Sequence, residues 1–140
     1  RADLYARYYR TMTRMAESGL FRIVAHPDLI KIFSVDSFRA WLKRPGSLDL
    51  VAEALTAARD AGMAMEISSA GLRKPCREIY PGPTILRLAA DLRVPVTFAS
   101  DAHSTADVAA SFDILARYAA DAGYAESLVF QGDDIRRLPF

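Results

Sequence analysis

Cysteine is nearly absent: Cys76 is the only one in 140 residues. No internal disulfide framework can form, and a reducing, cytoplasmic setting is the expectation. Long apolar runs are missing as well. No stretch approaches the roughly 20 residues needed to cross a bilayer, so no membrane partner is expected. No run of like charge exceeds two residues, and 18 basic side chains stand against 17 acidic ones, a net charge of +1. That balance excludes a basic nucleic-acid tract and an acidic tail. There is no glycine-rich phosphate loop of the P-loop or dinucleotide type and no aromatic platform for stacking bases, so no nucleic-acid partner is expected. Histidine is confined to His26 and His103. The chain opens Arg1-Ala2-Asp3-Leu4 without an initiator Met or a signal-peptide pattern, and a fragment of a longer protein is the expectation.

What is present is an ordinary globular mixture, 51% hydrophobic and 25% charged, enough to bury a core. Leu4, Tyr8, Met12 and Met15 recur at helical spacing within an amphipathic pattern starting at Arg1, and Ser18-Gly19 supplies a stop. Phe21–Ala25 reads as a short buried strand. A loop from His26 to Lys31 follows, with Pro27 disfavouring a helical start at His26. Asp36–Lys43 predicts a short helix whose Trp41 covers the core. Ser47 is placed to cap the next helix, with Val51, Leu55 and Ala58 on one face. Met63–Ile67 is the next apolar strand, and a polar loop runs from Ser68 to Arg77. Ile85, Leu88, Ala89 and Leu92 mark a third helix face ahead of the strand Val94–Ala99. A helix carrying Val108, Phe112, Leu115 and Ala119 then precedes a last strand, Ser127–Phe130.

The alternation predicts one layered α/β unit built from βα repeats. Its nearly all-apolar strands are those of a parallel sheet covered by helices. A small open sheet and part of a barrel both satisfy the pattern. The barrel is favoured because each of the first three strands runs into a loop rich in reactive side chains, where barrel enzymes place their chemistry; open sheets bind ligands at the same ends.

Those loops hold the candidate site. His26 and His103 each sit just past a strand, and Asp101-x-His103 offers a hard oxygen and a borderline nitrogen within one turn. This donor set suits zinc, manganese or iron. The structural alternative makes Asp101 a helix cap. Asp28 is either a turn residue after Pro27 or a neighbour of bound metal. Glu66 closes an apolar strand, where a carboxylate needs a partner, a cation or solvent. Arg73 and Lys74 put two cations on the loop beside the same face, with the geometry to meet phosphate oxygens. Lys31 could add to that positive field. Ser100 could donate to an oxyanion or serve only its turn. Cys76 has no nearby histidine, so it is not expected to be a nucleophile.

With these residues in view, the chain resembles the C-terminal half of the histidinol-phosphatase branch of the PHP (polymerase and histidinol phosphatase) superfamily. The resemblance runs through Ala25-His-Pro-Asp-Leu-Ile-Lys31, Glu66-Ile-Ser-Ser-Ala-Gly-Leu-Arg-Lys-Pro75, Glu78-Ile-Tyr-Pro81 and Ser100-Asp-Ala-His-Ser104. It implies half of a distorted (β/α)7 TIM-like barrel with parallel strands and a centre of two or three divalent ions (Zn, Mn or Fe). It implies His26, Asp101 and His103 as metal ligands and catalytic residues. Arg73 and Lys74 would then lie at the substrate phosphate, with Ser100 and Glu66 lining the site. The implied activity of the complete protein is hydrolysis of L-histidinol phosphate, a step of histidine biosynthesis. The alternatives are another phosphomonoester or nucleotide substrate, or a non-catalytic PHP-like structural module. The N-terminal half with its His-x-His motif is not in this chain, so that half is the expected partner, and residues 1–140 alone are expected to be inactive. Unpaired barrel edges would also allow homo-oligomers.

Overall fold

The structure is a computed structural model in which residues 2–140 are described. Five helices and five strands follow in the order α1 (Ala2–Glu17), β1 (Ile23–Val24), α2 (Val35–Leu42), α3 (Ser47–Asp60), β2 (Ala64–Ser68), α4 (Pro83–Asp91), β3 (Val96–Ala99), α5 (Phe112–Ala122), β4 (Glu126–Gln131) and β5 (Asp134–Pro139). Short 3-10 turns occupy Leu29–Lys31, Ser69–Arg73 and Thr105–Asp107. The fold is α/β with a parallel three-stranded sheet in the order β1-β2-β3. Met65 pairs with Val24 on one side and with Val96 on the other.

The pleat sorts the strand residues into two faces. Val24, Met65, Ile67 and Val96 enter the apolar core with the helices. Glu66 and Thr97, paired in register, fall on the opposite face. The parallel strands do not close on themselves in this chain; β4 pairs antiparallel with β5 as a separate hairpin. The expected last strand is therefore present, but outside the parallel sheet. Its partner β5 carries no apolar run to announce it, and all six of its residues are exposed.

Helix α1 corrects the sequence reading most directly. Its buried face is Tyr5, Tyr9, Met12, Thr13 and Ala16, not the expected Leu4-Tyr8-Met12-Met15 stripe, and Leu4 is 53% exposed. The aromatic residues decide the choice. Tyr9 stacks on Trp41 with ring centroids 5.7 Å apart, and Tyr5 meets Phe38 edge to face at 5.3 Å. Such pairs add to burial. The second stripe lines an open groove of about 530 Å³ beside β1.

Other boundaries moved for local reasons. Phe21 is exposed, because only Ile23 and Val24 pair. Ser47 is the first residue of α3 rather than its cap; Gly46 caps it at φ 82. The expected polar loop Ser68–Arg77 begins buried, with Ser68, Ser69, Ala70 and Gly71 enclosed, and reaches the surface at Arg73, Pro75 and Arg77. Asp101 caps no helix, since α5 begins only at Phe112 and Val108 is exposed.

Trp41→Ala should lower unfolding free energy by about 3–5 kcal/mol, the cost of truncating a buried aromatic residue. Tyr9→Phe should be neutral or stabilising, because the buried Tyr9 hydroxyl makes no hydrogen bond. Urea denaturation checks both.

Candidate active site

Parallel pairing brings the carboxyl ends of β1, β2 and β3 to one rim. His26 lies two residues beyond β1, Glu66 is within β2 near its end, and Asp101 lies two residues beyond β3. His26 and Asp101 both adopt left-handed backbone, at φ 24 and φ 47. Non-glycine residues avoid that region, and strain of this kind collects at functional sites. The turns it produces end each strand abruptly.

Glu66 is the electrostatic centre of the rim. Burial pushes its carboxyl up from the ordinary value; the His26 ring and backbone N–H oppose that shift, and Asp101 reinforces it. Its Oε1 is buried without a hydrogen-bond partner. An unpartnered carboxylate oxygen flanked by a histidine and an aspartate is a donor set that a divalent cation would satisfy. The set is partial. Among the described residues no three His, Cys, Asp or Glu groups come together closely enough to hold a metal ion. His103 is exposed, and its Nδ1 lies 2.8 Å from the Asp101 carbonyl oxygen.

The basic loop reaches the same rim. Arg73 Nη2 donates to the Ser100 carbonyl at 2.6 Å, and its Nε lies 3.5 Å from Asp107. Arg73 thus ties the loop after β2 to the loop after β3. Lys74 makes no ion pair among the described residues. Ser100 Oγ accepts the Ala109 N–H at 3.3 Å and keeps its own proton to donate. Cys76 is buried, with Sγ directed at the Gly71 carbonyl and the Tyr80 hydroxyl.

Lys31 does not contribute to a surface positive field. It is 1% exposed, and Nζ donates to Asp28 Oδ2 at 2.7 Å, Glu78 Oε1 at 2.9 Å and the Ile79 carbonyl at 3.0 Å. Asp28 also accepts the Gly82 N–H at 2.8 Å, and Arg39 pairs with the other Glu78 oxygen. Asp28 is therefore a buried network member rather than a plain turn residue. Burial raises the Asp28 carboxyl above its ordinary value, with Lys31 the chief opposing charge. Glu78 entered the sequence reading only as part of the Glu78–Pro81 motif, and Gly82 not at all; neither was expected to pair with Lys31. The available signal was Lys31 itself, a lone charge within Leu29-Ile30-Lys31-Ile32-Phe33.

A raised folded-state pKa places the favourable contribution of Glu66 below its unfolded pKa, and ionisation destabilises the fold as pH rises through the raised value. Glu66→Gln should therefore increase stability at neutral pH in the presence of a chelator and flatten the loss between mildly acidic and neutral pH. Thermal melts of both proteins across that range test this.

No family model matches the chain. It is 35% identical over 113 residues to a Deinococcus radiodurans protein named a probable histidinol-phosphatase, a match that takes in 78% of this chain and 39% of that protein. It also superimposes on the crystal structure of a Listeria monocytogenes protein assigned as a histidinol phosphatase, with a TM-score of 0.66 and 25% identity, over 76% of this chain and 42% of that one. The chain thus spans about two-fifths of each relative. No helix in the described residues is long and apolar enough to cross a membrane. In sequence and in fold, this is a histidinol-phosphatase-like protein.

Proposed function

We propose that this chain forms the C-terminal half of a distorted (β/α)7 barrel that hydrolyses a phosphomonoester, L-histidinol phosphate, in the complete protein. The observation that carries the reading is the placement of His26, Glu66 and Asp101 on the carboxyl rim of a parallel sheet, beside Arg73 and Lys74, in a chain similar to proteins bearing that name. Further ligands would come from the N-terminal half. That half would cover the free edge of β1 and the groove lined by Tyr8, Met12, Met15 and His26.

Two or three zinc, manganese or iron ions, held in part by His26, Asp101, His103 and Glu66, would polarise the phosphoryl oxygens and acidify a water molecule. This chain's own residues would do the rest. Lys74, free of ion pairs, would meet the phosphate as a point charge. Arg73, already bound to Ser100 and Asp107, would hold the loop after β3 in place and present its remaining N–H groups. The Ser100 hydroxyl would donate toward an equatorial oxygen. Such preorganised donors act where charge develops in phosphoryl transfer. Buried, reduced Cys76 suits a cytoplasmic enzyme.

A non-catalytic role is the second reading, favoured by the lack of any three-ligand group among the described residues. Phosphate release from L-histidinol phosphate and a panel of other monoesters and nucleotides by the full-length protein separates the two. His26→Ala and Asp101→Asn should each lose several orders of magnitude in turnover. Lys74→Ala should chiefly raise KM. Unchanged turnover in the aspartate variant would remove the hydrolase reading.

A further inference from the structure

We infer that Lys31 is a positioning residue, whose buried ammonium sets the loop that carries His26 against the segment that follows Arg73 and Lys74. This rests on the phosphatase reading for its functional meaning, though the geometry stands apart from it.

All three ammonium protons are used, and they join two stretches of chain far apart in sequence. Asp28 belongs to the loop after β1, two residues from His26. Glu78 and Ile79 belong to the segment after the Ser69–Arg73 turn. Nothing else in the described residues bridges these stretches with comparable density. Asp28 adds the Gly82 N–H, Lys31 lies 5.3 Å from the Tyr80 ring centroid, and the His26 ring meets Tyr80 edge to face at 6.2 Å. Tyr80 is itself bonded back to the end of β2, its N–H and carbonyl paired with Ser68. Pro81 accepts the Tyr118 hydroxyl from α5 at 2.9 Å.

The space around the network has no slack. A Cβ on Gly82 would stand 2.5 Å from Glu78 Oε1 and 3.1 Å from Lys31 Nζ, and one on Gly71 would run into the Glu78 carbonyl. Gly82 therefore lets backbone approach the charges directly, and Gly71 lets the Glu78 backbone pack against the turn after β2.

Stability alone is a weak account of such an arrangement. Each buried ion costs several kcal/mol in desolvation, and apolar replacements of like volume are often neutral or better. What charges supply and apolar groups do not is a fixed direction for each contact. Here the directions fix the His26 turn relative to the Gly71–Lys74 loop, the two parts that would hold metal and phosphate.

The test uses the complete protein carrying this chain, as wild type, Lys31→Met, and the triple variant Asp28→Asn, Lys31→Met, Glu78→Gln. Lys31→Met alone leaves the buried Asp28 carboxylate without its counter-charge and Glu78 with Arg39 as its one cation, and should lower the melting temperature; the triple variant should regain most of that loss. If Lys31 positions the rim, the stable triple variant still exchanges its amides at residues 26–31 and 76–82 about tenfold or more faster than wild type, with α3 unchanged. Its kcat for phosphate release should fall about 10–100-fold, the range typical of groups that orient ligands, and KM should change little. Gly82→Ala, which leaves every charge in place, should loosen the same two segments. Wild-type exchange in both the triple and Gly82 variants, or wild-type kcat in a triple variant with loosened loops, would overturn the inference. A wild type that releases no phosphate, yet whose loops loosen in the variants, would defeat the phosphatase reading while leaving the geometric role of Lys31 in place.

Discussion

The parallel pairing of β2 with a strand on each side is the constraint from which the rest of the site follows. β2 is the only strand of the three with neighbours on both edges. Its register sets Met65 against both Val24 and Val96. Because the pairing is parallel, all three strands end at the same rim. An antiparallel partner would have sent one of the candidate loops to the opposite end of the sheet. Parallel pairing also dictates the crossover helices, whose apolar faces cover one side of the sheet. That covering drives Val24, Met65, Ile67 and Val96 inward and, through the period of two, forces Glu66 onto the other face. A carboxylate in an apolar strand is thus a consequence of register and not an accident of composition.

Beyond the strand ends, polar interactions take over from apolar burial. The loop after β1 is held by Lys31 and Asp28, the segment after β2 by Glu78 and Gly82, and the loop after β3 by Arg73. Charged hydrogen bonds have direction where apolar contacts do not. The division of labour is clear in space: aromatic stacking among Tyr5, Tyr9, Phe38 and Trp41 fastens the helical layer, while ion pairs fasten the rim. Left-handed turns at His26 and Asp101 persist because the neighbouring loops are fixed from several sides.

The sequence was most legible where period and punctuation agree. α3, α4 and the strands β2 and β3 fall within a few residues of their expected places, because apolar runs and helical spacing carry that information. His26, Glu66 and Asp101 were readable as rim residues for the same reason, each lying at the end of an apolar strand. The buried face of α1 was not legible. Leu4-Tyr8-Met12-Met15 and Tyr5-Tyr9-Met12-Ala16 are both plausible stripes, and only the partners Phe38 and Trp41, some 30 residues on, choose between them. β5 was hidden because an exposed hairpin strand needs no apolar alternation. The ion network was hidden because it joins positions 28 and 31 to 78 and 82, a contact that no local pattern encodes. Arg73 shows the limit in another way: its charge was evident, but its engagement with Ser100 and Asp107 depends on the paths of two loops.

The unused stripe of α1 bears on how the site would be completed. Leu4 and the groove of Tyr8, Met12 and Met15 sit beside β1, whose outer edge pairs with nothing among the described residues. A helix with two apolar faces belongs between two layers rather than at a surface, and an exposed parallel edge is a template for another strand. On the barrel reading one added strand would answer both demands. It would extend the sheet past β1, and its helix would cover the stripe. The carboxyl end of that strand would stand next to His26. With the remaining strands of such a barrel also in place, the face bearing Glu66 would become the interior of a closed sheet, where an unpartnered carboxylate oxygen requires a cation or a donor. The relatives are about two and a half times as long as the stretch they share with this chain, which is enough to supply that layer. On that reading the electrostatic demand at Glu66 and the apolar demand along α1 would be met by the same neighbour, reached from opposite sides of β1.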